Sequence, residues 1–102
     1  MDLSIIIVSW RVKELLKQCL SSIFSQNFNF SYEVIVIDND SGDGTVEMVE
    51  ADFPQVQLTA SRINLGFARA DNLGLKRAEG RHLLLLNPDT RLIDNSLNQA
   101  VK

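Results

Sequence analysis

The stretch that most constrains the fold is Leu83-Leu84-Leu85-Leu86-Asn87-Pro88-Asp89-Thr90. Its leucine run has no period-2 alternation, and it is far too short to span a bilayer. Such a run suits a strand buried on both faces, as in a parallel sheet covered by helices. Pro88 lacks a backbone donor and pushes Asn87 toward extended geometry, so strand pairing is expected to stop there. Asp89 is then delivered just past the carboxyl end of a central strand, the edge at which open α/β sheets bind ligands.

The segments before it supply that strand's partners. Ile5-Ile6-Ile7-Val8, within residues 3–8, is a second doubly covered strand. From Val12 the period changes. Val12, Leu15, Leu16, Cys19, Leu20, Ile23 and Phe24 fall on one face of a helix, with Cys19 as a small core residue in its middle. Residues 26–31 are a polar loop, and residues 32–37 a strand centred on Val34-Ile35-Val36-Ile37. A turn-forming cluster follows, then a helix from Thr45 with Val46, Val49 and Phe53 inward, stopped by Pro54. Residues 56–59 form a short strand and Asn64-Leu65-Gly66 a turn; residues 67–78 form a helix with Gly80 as its C-cap. Asp94 or Asn95 suits the N-cap of one more helix. This β-α-β-α-β-α-β order with short links implies an α/β fold: a Rossmann-like, mostly parallel sheet with flanking helices and right-handed crossovers. Residues 1–102 are expected to be one domain, or part of one.

A net charge of -3 with scattered basic residues argues against a nucleic-acid partner. An anionic ligand would have to be held by local devices, such as helix N-termini or a metal ion. The single cysteine excludes an internal disulfide and a zinc spacing. Neither a signal peptide nor a transmembrane segment is expected: the start has no charged leader, and no stretch approaches the roughly 20 apolar residues a span needs.

Residues 9–11, 38–45 and 87–90 would share the carboxyl edge, and Asp38, Asp40, Asp43 and Asp89 concentrate there. Like charges held close together are costly, so a cation or hydrogen-bond donors must face them. Mg²⁺ or Mn²⁺, held by one or two carboxylates plus phosphate oxygens, would fit. The bland reading of residues 38–43 is an Asx turn leading into a capped helix, and it applies to Asp40 and Asp43 above all. No Gly-x-x-x-x-Gly-Lys loop is present and no Gly-x-Gly-x-x-Gly follows the first strand, which disfavours P-loop hydrolases and dinucleotide oxidoreductases. Ser9-Trp10-Arg11 replaces the acids that a phosphate-accepting receiver domain carries after its first strand. His82 lies at the beginning of the leucine strand, on the opposite edge, and is read as a structural or surface residue.

Four motifs in order resemble family 2 glycosyltransferases, most nearly their rhamnosyltransferase-like branch. They are Ser4-Ile5-Ile6-Ile7-Val8-Ser9-Trp10, Glu33-Val34-Ile35-Val36-Ile37-Asp38-Asn39-Asp40-Ser41-Gly42-Asp43-Gly44-Thr45, Asn64-Leu65-Gly66-Phe67-Ala68, and Leu86-Asn87-Pro88-Asp89-Thr90. The resemblance implies the amino-terminal half of a glycosyltransferase A-type fold, a partial domain that binds a nucleotide-diphospho-sugar (a UDP- or dTDP-sugar). By resemblance, Ser9 touches the nucleotide, Asp38 accepts the ring N–H of the base, and Asp40 belongs to the same substrate-binding loop. Asp43 with Gly44 shapes the turn. Asn87-Pro88-Asp89 stands where the family has an Asp-x-Asp element. Asp89 would bind Mn²⁺ or Mg²⁺ bridging the diphosphate, and Asn87 would reach the ribose side.

Three departures accompany this match. Arg11 replaces a common Asn. Asp71 stands near a position that is Arg or Asn in relatives, with Arg62 or Arg69 as substitute phosphate partners. The family's catalytic base lies downstream, in the acceptor half, so no residue before Lys102 is assigned that role. The implied activity is transfer of a sugar to an acceptor, in polysaccharide or cell-envelope glycan synthesis, in the cytoplasm or at the inner face of the membrane. On this reading the fragment alone is inactive, and its open sheet edge invites self-association. The alternative is a non-catalytic remnant of the fold that serves as an interaction or oligomerisation domain.

Overall fold

A computed structural model describes residues 1–91 of the 102-residue chain. The order is β1 (Leu3–Ser9), α1 (Lys13–Phe24), β2 (Tyr32–Asn39), α2 (Thr45–Asp52), β3 (Gln57–Ser61), α3 (Phe67–Arg77) and β4 (His82–Leu85). The strands form one sheet in the order β3-β2-β1-β4, and every neighbouring pair is parallel. The helix anticipated at Asp94 or Asn95 lies outside the described residues.

β1 and β2 follow the β-branched logic of their sequences. All seven residues of β1 are buried, and so is β2 after Tyr32. Alternate side chains feed two cores. Ile5, Ile7, Val34 and Val36 meet Leu16, Leu20 and Ile23 of α1 and Val49 of α2. Ile6, Val8, Ile35 and Ile37 meet Ala70 of α3 on the other face. Each fully buried aliphatic side chain stabilises by roughly 1.5–3 kcal/mol, and these two strands supply about half of the buried apolar side chains among the described residues. α3 comes close to the sheet because position 74 is glycine. A Cβ there would lie 2.5 Å from the Cγ2 of Ile6.

Four expectations need correction. The leucine strand is an edge strand among the described residues, not a central one buried on both faces. Leu84 and Leu86 pack on the α1 side, but Leu83 and Leu85 are 53% and 51% exposed, because α3 lies over β1 and β2 instead. Leu15 is also exposed, beyond the arc of α1 that the sheet covers. β3 begins at Gln57 instead of Val56, whose side chain joins the core. Gly80 is not a C-cap: α3 ends in an extended Ala78. Gly80 is required by close approach, since a Cβ there would sit 2.5 Å from the backbone nitrogen of Ser4.

The amino-terminal edge is locked by a buried carboxylate. Glu33 accepts hydrogen bonds from the Ser4 hydroxyl (2.6 Å), the Gln57 amide (2.7 Å) and the Glu79 backbone N–H (2.7 Å). Ser4 Oγ in turn accepts the Gly80 N–H at 2.8 Å. Burial pushes the Glu33 carboxyl up, but these bonds and the terminal ammonium outweigh it and hold it below the ordinary value of 4.5. A carboxyl lowered by folding adds stability above its unfolded pKa, and that stability is lost as pH falls through the folded value. The melting temperature should therefore fall between about pH 5 and pH 3, and Glu33→Gln should flatten that fall. Thermal melts of both proteins across this range check it; parallel curves would contradict the assignment.

Candidate functional site

From β1 the chain moves outward through β2 to β3, then returns to the far side of β1 as β4. The boundary between β1 and β4 is thus the switch point of the sheet, where a crevice opens at the carboxyl ends of the strands. A cavity of about 280 Å³ lies at this place. Its walls include Trp10, Leu15, Phe67 and Pro88, and Asn87 and Asp89 are its polar members. A second cavity of about 120 Å³ shares Val8, Phe67 and Asn87 with it and adds Asp71.

β4 delivers Asn87 and Asp89 as its sequence suggests. Leu86 N–H donates to Ile6 O at 2.9 Å, after which the chain turns and Thr90 N–H donates to Asn87 O at 3.0 Å. The Cys19 thiol lies beneath, 3.9 Å from the same carbonyl. Burial and the charge of Asp89 push that thiol up to about 11, so it is neutral at physiological pH and acts as packing. Asp89 is exposed, and among the described residues no hydrogen bond or ion pair occupies its carboxylate. Nor do three or more Asp, Glu, His or Cys side chains gather there to hold a metal. The donor set therefore fits a hard cation that takes one protein carboxylate and completes its shell with phosphate oxygens and water.

The loop after β2 is built differently. Asp38 is buried, and both its oxygens are engaged by Ser41: the hydroxyl donates to Oδ1 at 2.6 Å and the backbone N–H to Oδ2 at 3.3 Å. Ser41 Oγ also accepts the Arg11 N–H at 2.9 Å, tying this loop to the one after β1. Asp43 accepts from the Thr45 N–H at 3.2 Å and from the Thr45 hydroxyl, and from the backbone of Lys13. It closes the turn onto Thr45, the first residue of α2, whose N-cap Gly44 makes no side-chain cap hydrogen bond, and it faces the backbone of Lys13 at the start of α1. Burial would raise the Asp43 carboxyl, but these bonds prevail and lower it. Asp40 is exposed with φ +63°, a left-handed conformation that Asp tolerates. Ser9 pairs in register with Asp38, and its buried hydroxyl has no hydrogen-bond partner among the described residues.

The four aspartates thus do not converge on one cation. Loop N–H and O–H donors answer Asp38 and Asp43, Asp40 points to the exterior of the turn, and Asp89 with Asn87 meets the cavity. Ser9, Asp38 and Asp40 line neither cavity. Arg62 and Arg69 are exposed and line neither, whereas the half-buried Asp71 lines the smaller one. Sequence reasoning missed Trp10, Leu15 and Phe67 as walls. Their signal was position: Trp10 immediately follows β1, and Phe67 opens α3 after Gly66.

Residues 4–102 match the family model described as Glycosyl transferase family 2. The chain belongs to glycosyltransferase family 2. Among its relatives is the uncharacterized glycosyltransferase YfnE of Bacillus subtilis, 39% identical over 92 residues that take in 87% of this chain and 23% of YfnE. TarS of Staphylococcus aureus, a poly(ribitol-phosphate) beta-N-acetylglucosaminyltransferase, is 28% identical over 104 residues, 98% of this chain and 18% of TarS. The crystal structure of TarS 1–349 in complex with UDP matches with a TM-score of 0.82 and 28% identity, covering 98% of this chain and 31% of that one. The mannosyltransferase PcManGT of Pyrobaculum calidifontis, in complex with GDP-Man and Mn²⁺, matches with a TM-score of 0.73 and 26% identity over 86% of this chain and 27% of its own. The fold is therefore the glycosyltransferase A type, and the chain spans a minor part of the length of these relatives. None of the three is described as a rhamnosyltransferase.

In this family 2 domain Asp43 carries a structural load that its place in the motif does not reveal. Asp43→Ala should lower unfolding free energy by about 1 kcal/mol, as for lost turn hydrogen bonds. Urea denaturation measures this directly, and an unchanged midpoint would refute the structural role.

Proposed function

We propose that this chain binds the nucleotide-diphospho-sugar donor, a UDP- or dTDP-sugar, of a family 2 glycosyl transfer, together with Mn²⁺ or Mg²⁺. The observation that carries the reading is the larger cavity at the switch point, where the carboxylate of Asp89, unengaged among the described residues, and the amide of Asn87 face the aromatic wall of Trp10. In this assignment Asp89 holds the metal on the diphosphate, Asn87 contacts the ribose side, and Trp10 offers an apolar face to the nucleotide. Asp38 accepts the ring N–H of the base, since a carboxylate that already takes two hydrogen bonds keeps lone-pair sites for a third. The hydroxyl of Ser9, unpartnered among the described residues, adds a donor beside it, and Asp40 forms the rim. A metal held by Asp89 would supply charge neutralisation of the departing diphosphate.

The UDP complex of TarS and the GDP-Man and Mn²⁺ complex of PcManGT support this donor and metal class. TarS and GgaB, the latter named for minor teichoic acid biosynthesis, support a cell-envelope glycan as the acceptor. We assign acceptor binding and deprotonation to the part of such proteins that lies outside the matched stretch, and place the reaction on the cytoplasmic side. No helix among the described residues is long and apolar enough to cross a membrane. A second reading, an interaction domain that associates through the β4 edge, has its support in the half-exposed Leu83 and Leu85.

Calorimetric titration with UDP should show binding strengthened by Mn²⁺, and Asp89→Ala should abolish that enhancement, a loss on the order of 10-fold or more. Equal affinity with and without metal in the unsubstituted protein would overturn the assignment of Asp89. No nucleotide binding, with a defined oligomer in sizing chromatography, would favour the interaction domain.

A further inference from the structure

We propose that Ser41 is a positioning residue for nucleotide selection. Its hydroxyl sets the angle of the Asp38 carboxylate and couples it to the Trp10–Arg11 turn, a role that rests on reading Asp38 as the group that recognises the base. Ser41 and Asp38 are both buried, at 5% and 3% exposure. Ser41 grips both oxygens of the carboxylate, one through its hydroxyl at 2.6 Å and the other through its backbone N–H at 3.3 Å. Two donors from one residue fix the plane of the carboxylate and not merely its location.

The direction of the relay is also fixed. The Ser41 hydroxyl has one proton, given to Asp38, so the same oxygen can only accept from the Arg11 N–H at 2.9 Å. That N–H belongs to a residue at φ +56°, a left-handed conformation unfavourable for arginine. The Ser41 bond holds this turn while the Arg11 guanidinium sits 4.9 Å from the centre of the Trp10 ring. Trp10 is a wall of the larger cavity. One hydroxyl thus connects the acid facing the base edge with the aromatic facing the cavity. A serine that only closed its own turn would need neither the second oxygen of Asp38 nor the bond across to the first loop.

The test compares UDP with inorganic pyrophosphate, both with Mn²⁺, by calorimetry on the whole chain, with melting temperatures recorded alongside. Ser41→Ala should weaken UDP about tenfold, as for a lost hydrogen bond to a charged group. It should leave pyrophosphate unchanged, because the diphosphate end does not depend on Asp38. Ser41→Thr, which keeps the hydroxyl, should restore UDP affinity, and Ser41→Ala should cost less in an Asp38→Ala background than in the unsubstituted protein. Equal weakening of both ligands, or the same loss of UDP affinity with and without Asp38, would overturn the proposal. If Asp38→Ala weakens UDP and Ser41→Ala does not, the role of Ser41 falls alone. If Asp38→Ala leaves UDP unaffected, the base-recognition reading falls and takes the Ser41 role with it.

Discussion

The register of β1 decides where every loop of the candidate site begins. Its seven residues are wholly buried between β2 and β4 and beneath helices on both faces, which leaves no freedom to slide. A one-residue slip would turn Ile5 and Ile7 from the α1 core into the α3 core and bring Ile6 and Val8 the other way. Held in place, β1 ends with Ser9 beside Asp38, and β4 passes Ile6 to reach Asn87 near Val8. Site geometry here is a consequence of packing in the sheet.

Electrostatics then divides the carboxyl edge into two kinds of acid. Asp38 and Asp43 are satisfied by hydroxyl and backbone donors from their own loop and from α1, so they are fixed in orientation. Asp89 has no such donors among the described residues and remains available to an external cation. Fixed acids suit recognition, where direction matters. An open acid suits a metal whose other ligands arrive with the substrate. The same division would let a chain of net charge -3 accept the proposed anionic donor without a basic patch.

Much of this was legible in the sequence because β-branched runs and helical spacing report burial directly. β1, β2 and α1 stand where Ile5-Ile6-Ile7-Val8, Val34-Ile35-Val36-Ile37 and the Leu16–Cys19–Leu20–Ile23 spacing put them. The leucine strand misled for a physical reason. A uniform apolar run is the same string whether one face or two are covered, and it says nothing about which strand pairs on its outer side. Gly80 misled because a glycine after a helix serves equally for a left-handed cap or for close backbone contact, and only the position of Ser4 distinguishes them. The aspartate cluster was ambiguous at its root, since a carboxylate bonds its own turn as readily as a ligand. Trp10 and Phe67 went unassigned because a cavity wall is made by elements distant in sequence.

If the loops after β1, β2 and β4 form one donor site, a paramagnetic metal must report it. Amide spectra of the chain with UDP and Mn²⁺ should show broadening centred on residues 87–90, and the diamagnetic Mg²⁺ sample should show shifts at residues 9–11 and 38–41. Broadening centred instead on the opposite edge, around Glu33, Gly80 and His82, would contradict a site at the carboxyl ends of the strands.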